Sequence, residues 1–426
     1  MPPSSGGRKL GVVRSPSRES RRPLFIAVVT ETYPPEVNGV ARTIGKMVAE
    51  LAERGHRIEL VRPRQGKGDQ ADARPAFQQV LRAGMPIPRY TDLRLGLPAK
   101  RALLARWRTA RPDIVQVVTE GPLGWSAVAA AHTLGIPVAS EFHTNFDGYS
   151  RHYGFGAFAG AIAAYLRSLH NRSDCTLVPT EEMRLRLEAS GYARLRVVGR
   201  GIDTALFTPA RRSAALRAQW GCAGAETVVI YVGRLAPEKG LDLFVEAALA
   251  MRSIDPAVRV VLVGDGPARK TLGARHPEFV FAGMRFGEDL AAHYASADVF
   301  PFPSTTETFG NVTTEALASG LAVSAFDYAA ARQHIRHGES GLLAPLGDRG
   351  AFLDHARQLA RDGRLRSRIR ARAAEVGQGL TWREVVDALE SVFYELVDRV
   401  AAMTRVTEAG ARPSRRGHTR SDHARS

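Results

Sequence analysis

The chain has 426 residues and a mass of 46.3 kDa, enough for two to three domains at about 100–200 residues each. Hydrophobic residues make up 44% and charged residues 24%, an ordinary soluble balance, but 59 Lys and Arg against 43 Asp and Glu leave a net charge of +16 and a pI of about 10.4. Two cysteines, Cys175 and Cys222, exclude a disulfide framework and a cysteine zinc site; no apolar run of about 18 residues predicts a membrane-spanning helix, and no secretory leader is expected.

Residues 1–22 are polar, rich in Gly, Pro and Ser, and read as a disordered basic tail. The pattern changes at Pro23. Residues 24–29 form an apolar block of β-formers, expected as a buried parallel strand. After a loop with Pro34, Pro35, Asn38 and Gly39, the residues Ile44, Met47, Val48 and Leu51 recur at helical spacing, and Gly55 ends that helix. Residues 58–61, 113–118 and 136–140 are further strands, the last two separated by an Ala-rich helix. A second series follows, with strands over 227–232, 258–263, 279–281, 299–301, 321–323 and 342–343 and a helix within 239–251. This alternation predicts an α/β protein of two doubly wound domains, residues 23–200 and 201–384, with a hinge near 195–225. A helix over 385–403 is expected to return to the first domain, and 404–426 reads as a second disordered basic tail.

Ligands of such sheets bind beyond the C-terminal ends of the strands, so the loops there carry the candidate chemistry. Gly39 closes a strand-to-helix turn; it either serves the turn alone or lets backbone N–H groups approach a phosphate. Arg234 and Lys239 flank the loop after residues 227–232, where a forked guanidinium and a point ammonium suit a diphosphate, or form a solvated basic loop. Glu307 and Glu315 lie eight apart at the start of an apolar helix; they either accept hydrogen bonds from paired sugar hydroxyls or cap the helix. His143, at the end of strand 136–140, is either a structural histidine, as a lone one more often is, or one that its strand-end position points into the cleft between the domains. Gly264 and Gly266 follow a strand, but Arg269 stands where the dinucleotide fingerprint needs its third glycine, which counts against a nicotinamide or flavin oxidoreductase. The charge would suit nucleic acid, but no zinc finger, RNA-recognition or helix-turn-helix signature is present, so no nucleic-acid partner is expected.

Together these motifs resemble the retaining, nucleotide-sugar-dependent glycosyltransferases of family 4, which have the GT-B fold of two Rossmann-like domains facing across a cleft. The resemblance spans about residues 23–400. Thr30 to Pro35 and the segment 142–153 look most like bacterial GDP-mannose-dependent α-mannosyltransferases and sulfoquinovosyl-lipid synthases. The resemblance implies a catalytic set of His143, Arg234, Lys239 and Glu307. Gly39 would lie under the donor diphosphate, Arg234 and Lys239 would bind it, and Glu315 would hold the ribose hydroxyls. Glu307 would bind sugar hydroxyls with the backbone of Phe309 and Gly310, with Asn311 beside them, and His143 would contact the transferred sugar near its 6-position. Gly283 and Arg285 would lie by the nucleobase. Two departures from the common pattern are Asn38 before Gly39 and Thr308 after Glu307, where many relatives have glycine. The implied reaction needs no metal, because the two cations and a helix N-terminus meet the charge developing on the leaving phosphate. GDP-mannose is the expected donor; the first alternative is a UDP-sugar-dependent glucosyl- or sulfoquinovosyl-diacylglycerol synthase, and after it a sugar-nucleotide epimerase on the same fold.

The charge is uneven. Residues 1–22 carry +5, 404–426 carry +4, 23–200 carry +8 and 201–403 carry −1. In this family the first domain takes the acceptor, and here it is the basic one. Lys100, Arg101, Arg106, Arg108 and Arg111 interleave with Leu103, Leu104 and Trp107, the pattern either of an amphipathic helix lying on an anionic membrane or of a solvated helix on a globular domain. The expected partners are therefore a nucleotide sugar, a lipid or glycolipid acceptor and an anionic membrane surface, and the expected place is the cytoplasmic face of the plasma membrane.

Overall fold

The computed structural model describes residues 21–36, 38–66, 68–74, 76–87, 90–143 and 159–410. Residues 1–20, 411–426 and 144–153, which include most of both expected tails and most of the segment 142–153, lie outside the described residues.

The first half of the chain gives β1 (Phe25–Val29), β2 (Arg57–Pro63), β3 (Ala73–Arg74), β4 (Phe77–Arg82), β5 (Gly84–Ile87), β6 (Tyr90–Gly96), β7 (Ile114–Val117), β8 (Val138–Glu141), β9 (Cys175–Val178) and β10 (Leu195–Val197). Eight of these make one sheet in the order β10-β9-β8-β7-β1-β2-β4-β3, parallel throughout except at β3, while β5 and β6 form a separate antiparallel hairpin. The second half gives β11 (Val228–Val232), β12 (Arg259–Val263), β13 (Val280–Gly283), β14 (Val299–Phe302), β15 (Ala322–Phe326) and β16 (Leu342–Ala344), a parallel sheet ordered β13-β12-β11-β14-β15-β16. The central strands read as unbroken apolar runs because both of their faces are covered by helices: all five residues of β11 are buried.

Each sheet has a core on both faces. The last helix, Trp382–Gly410, completes one core of the first sheet, where Val386, Leu389, Phe393 and Leu396 pack with Ile26, Val28 and Leu51. Polar pairs fix its register. His56 accepts from the Leu24 amide through Nδ1 and meets Glu390 through Nε2 at 2.7 Å, and Arg54 bonds Glu390 at 2.5 Å and Asp387 at 2.7 Å. This helix continues to Gly410, into the residues expected to begin the tail; Glu408 and its neighbours 404–407 are compatible with a helix already nucleated upstream. The N-terminal boundary also moves. Arg22 makes a bidentate pair with Asp113 at 2.6 and 2.9 Å, and its carbonyl accepts from the Tyr394 hydroxyl.

The chain passes between the domains twice, and the two passages lie side by side. Ile202 and Thr381 form a parallel bridge, with the Ile202 amide donating to the Leu380 carbonyl at 2.8 Å. Gly201 has no room for a side chain there, since a Cβ would stand 2.6 Å from the Trp382 backbone. Ile202 and Phe207 already belong to the second core, so the crossover is tighter than the 195–225 read from composition.

The helix Lys100–Thr109 does not present an apolar face to a membrane. Leu103 and Trp107 are fully buried in the first domain, and the Trp107 indole N–H donates to Glu59 at 3.0 Å. Arg106 binds the same carboxylate at 2.7 Å, and Arg111 donates to the Leu134 and Gly135 carbonyls at the end of helix Pro122–Leu134. The spacing that suggested a membrane face is the ordinary stripe by which a helix covers its own sheet. Lys100, Arg101 and Arg108 remain exposed. No described helix is long and apolar enough to cross a membrane.

Candidate active site

The loops beyond the C-terminal ends of β1 and β8 face those beyond β11 and β14. On the first-domain side, Asn38 caps helix Gly39–Glu53 by accepting from the Ala41 amide at 2.8 Å, and its amide donates to Thr32 at 2.7 Å. Thr32 in turn donates to Glu36, which also accepts from Gln65. Asparagine therefore replaces a second glycine here without loosening the turn: it is built in as the cap. Gly39 opens the helix and faces Asn311 across the cleft, where a Cβ would lie 3.6 Å from the Asn311 amide nitrogen.

On the other side, β11 ends in the loop carrying Arg234 and Lys239. Backbone contacts hold this loop closely: Gly264 carries φ +134°, and a Cβ there would stand 2.0 Å from the Gly233 carbonyl. The glycines that failed as a dinucleotide fingerprint thus permit two strand-end loops to touch. Gly240, at φ +69°, caps helix Leu241–Ile254 and sits too close to the Pro303 carbonyl for any side chain. Arg234 lies 3.3 Å from Glu238 and is about two-fifths exposed (42%). Lys239 bonds Glu307 at 2.6 Å, and Glu307 also accepts from Ser304 at 2.7 Å, while the Glu307 amide donates to the Tyr328 hydroxyl. The diphosphate candidate and the sugar candidate are therefore one ion pair.

Gly310 takes φ +95° and opens helix Asn311–Ala318, whose first amides have no partner within the helix. The Phe309 ring is buried and packs edge-on to His334, and its carbonyl accepts from the Ala330 amide at 2.8 Å. Glu315 is buried one turn in. One of its oxygens accepts from Tyr294 at 2.9 Å and the other meets Arg42 of the first domain at 3.2 Å. Burial pushes this carboxyl up, and Arg42 and Tyr294 only partly offset that. Gly283, at φ +74°, turns the chain after β13; Arg285 is tied to the Ala282 carbonyl and to Asp289 at 3.0 Å.

His143 departs from expectation. Its ring is turned inward, with Nδ1 2.8 Å from the Arg200 guanidinium and Nε2 2.8 Å from the Glu141 carboxylate. The Arg200 guanidinium bonds Nδ1 and the Glu141 carboxylate faces Nε2 without hydrogen-bond geometry, so the imidazole does not project into the cleft. Burial raises the Glu141 carboxyl, but His143, Arg200 and Gln116 together hold it below the usual range. What His143 offers the cleft is its backbone carbonyl, which accepts from Thr308 of the second domain at 3.0 Å.

The first half of the chain matches the family model described as Glycosyltransferase Family 4 over residues 37–206, and the second half matches Glycosyl transferases group 1 over 226–362. A GDP-mannose-dependent alpha-mannosyltransferase of Mycobacterium tuberculosis is 36% identical over 373 residues, covering 85% of this chain and 94% of that protein. The chain belongs to glycosyltransferase family 4. Sulfoquinovosyl transferase SQD2 of Arabidopsis thaliana is 28% identical over 383 residues, covering 88% of this chain and 74% of that one. Sucrose-phosphate synthase from Thermosynechococcus elongatus shares the fold with a TM-score of 0.72 at 20% identity, over 89% of this chain and all of that one. The protein is thus a family 4 hexosyltransferase with the GT-B fold.

Several polar residues around the candidate site had no role in the sequence reading: Arg42, Gln116, Arg200, Tyr294 and Glu141, the last noted only as part of the motif that carries His143. Glu141 and Arg42 carried a usable signal, one at the end of a predicted strand and the other on the polar side of a predicted helix. Glu31 was missed as well. It follows β1, and its carboxylate accepts from the Leu123 amide at 3.2 Å and fills the space a Gly121 side chain would need. Burial pushes its carboxyl up to about 7, with Glu120 adding to the rise and the Leu123 and Gly96 amides opposing it. A raised carboxyl holds its proton in the folded state while the unfolded chain has lost it. Its contribution to stability is therefore full below the ordinary 4.5 and is lost as pH rises to about 7. Urea unfolding of wild type and Glu31→Gln is expected to show the difference moving against wild type across this window, by up to about 1.4 kcal/mol per pH unit. A difference that does not change with pH would remove the assignment.

Proposed function

We propose that this enzyme transfers mannose, with retention, from GDP-mannose to a lipid or glycolipid acceptor held by the first domain. The carrying observation is the 36% identity to a GDP-mannose-dependent alpha-mannosyltransferase along 94% of its length. The geometry supports a diphosphate donor between Gly39 and the Arg234–Lys239 loop. Arg234, Lys239 and the first amides of helix Asn311–Ala318 meet the charge that grows on the leaving phosphate. Glu307 orients sugar hydroxyls while positioning Lys239, and the His143 carbonyl is the first-domain contact for the sugar. The acceptor hydroxyl attacks from the face the diphosphate leaves, and that phosphate takes its proton. Glu307 and Glu315 both serve donor binding, so neither is assigned as a nucleophile.

The exposed Lys100, Arg101 and Arg108 and the basic residues 1–22 and 404–426 supply attraction to anionic lipid at the cytoplasmic face. Binding to vesicles is then electrostatic and falls with salt; no binding at low salt would remove the membrane part.

Thermal shift with GDP and UDP, followed by turnover of GDP-mannose and UDP-glucose on diacylglycerol-type acceptors, tests the donor. Stabilisation by GDP and mannosyl transfer are expected. Stabilisation by UDP alone, or conversion of the nucleotide sugar with no glycosylated product, would overturn the reading. Glu315→Gln is expected to raise the donor KM by about tenfold or more with a smaller change in kcat, from loss of a charged hydrogen bond. An unchanged KM would exclude a ribose role.

A further inference from the structure

At the N-terminal edge of the second sheet, away from the cleft, a cavity of about 700 Å³ opens between helix Ala214–Gln219, the turn 222–227 and helix Gly363–Gln378. Its walls carry four guanidinium groups, from Arg212, Arg217, Arg366 and Arg370, and the carboxylate of Asp298. Asp298 bonds three of them, Arg212 at 2.9 Å, Arg217 at 3.0 Å and Arg370 at 2.9 Å. One negative charge thus faces four positive ones. The Glu226 carboxylate, bonded to the Ala223 and Gly224 amides at 2.8 and 2.7 Å, brings a second negative charge to the rim and leaves the arginines in excess. Burial, with Arg212, Arg217 and Arg366 nearby, holds the Arg370 guanidinium below its ordinary pKa despite Asp298.

These arginines are also held rigid. Arg212 donates to the Ala295 and Ala297 carbonyls, Arg217 to Ser296 and Glu226, Arg366 to Leu359 and Arg370 to Gly320. Guanidiniums whose rotamers are already fixed lose little freedom when they take up a ligand. Crowded cations in a partly buried hollow repel one another, and an anion with several oxygens relieves that repulsion. The volume lies within the range of small-molecule sites and exceeds what a bare phosphate needs.

We propose that this cavity is a second anion site, separate from the donor cleft, which binds the phosphate group of a phosphorylated small molecule or a phospholipid. It does not rest on the donor or acceptor assignment, since no residue of the cleft lines it.

Cys222 lines the cavity, whereas the other cysteine, Cys175, is buried, so alkylation of Cys222 reports on occupancy. The full chain is treated with iodoacetamide at low salt with inorganic pyrophosphate, glucose 6-phosphate, or vesicles of phosphatidylglycerol and phosphatidylcholine. At ten times its dissociation constant a bound ligand is expected to slow Cys222 modification about tenfold. Ser367→Glu and Ala218→Glu each add a carboxylate at the wall without removing an arginine, and each is expected to abolish protection. Protection by the soluble phosphates assigns a free ligand, and protection by vesicles alone assigns a lipid headgroup. No protection by any probe, or protection that survives both variants, overturns the proposal.

Discussion

Lys239→Ala is expected to lower kcat/KM for transfer by about a hundredfold to a thousandfold, the usual cost of removing one fixed group that meets transition-state charge. Two effects act together. The variant loses the ammonium assigned to the leaving diphosphate, and it leaves Glu307, only 15% exposed at its side chain, without the cation bonded at 2.6 Å. Lys239→Ala with Glu307→Gln separates them. The second change removes the stranded charge, so the double variant should recover thermal stability lost by the single one while remaining inactive. Steady-state kinetics with melting curves on all four proteins completes the cycle. Turnover near wild type in Lys239→Ala, or recovery of activity in the double variant, would show the pair to be structural and leave the diphosphate assignment without its main support.

Asp298→Ala is expected to destabilise the chain by about 3–5 kcal/mol, the range for stripping one partner from a buried ionic cluster. Besides its three arginines, the carboxylate accepts from the Val228 amide at 2.9 Å, so it ties the start of β14 to the start of β11 and to helix Gly363–Gln378. The arginines left behind would repel one another with nothing between them. The pH dependence has a defined sign. Burial raises the carboxyl, but Arg370, Arg212, the Val228 amide and Arg217 bring it below the ordinary 3.8. The stabilisation is therefore complete above that ordinary value and is lost only as pH falls through the lower folded one. Urea titration at neutral pH measures the loss, and a change below about 1 kcal/mol would place Asp298 among ordinary surface pairs.

The alternation of apolar blocks with amphipathic stretches made both sheets legible, since buried parallel strands and their covering helices write different periods into the chain. The strands from 73 to 96 and β9 and β10 went unread. β4 is Phe-Gln-Gln-Val-Leu-Arg, mostly half-buried near a sheet edge, and β9 and β10 are only four and three residues long. Arg234, Lys239, Glu307 and Glu315 were legible because their loops pair charge with strand-end position. The inward turn of His143 was not, because its cause is Arg200, 57 residues away on the interdomain crossover. Trp107 misled for a related reason: basic residues around an apolar stripe look the same whether a membrane or the protein's own sheet covers the stripe.

The last helix has a consequence for synthesis. A first-domain core that contains Val386, Leu389, Phe393 and Leu396 cannot close when residue 200 leaves the ribosome. The N-terminal sheet must wait, one apolar face covered only in part by helix Gly39–Glu53, while the whole second domain is made and can fold ahead of it. Order of translation and order of completion are thus reversed, and nascent chains stalled before residue 382 are the species in which aggregation or chaperone capture should concentrate.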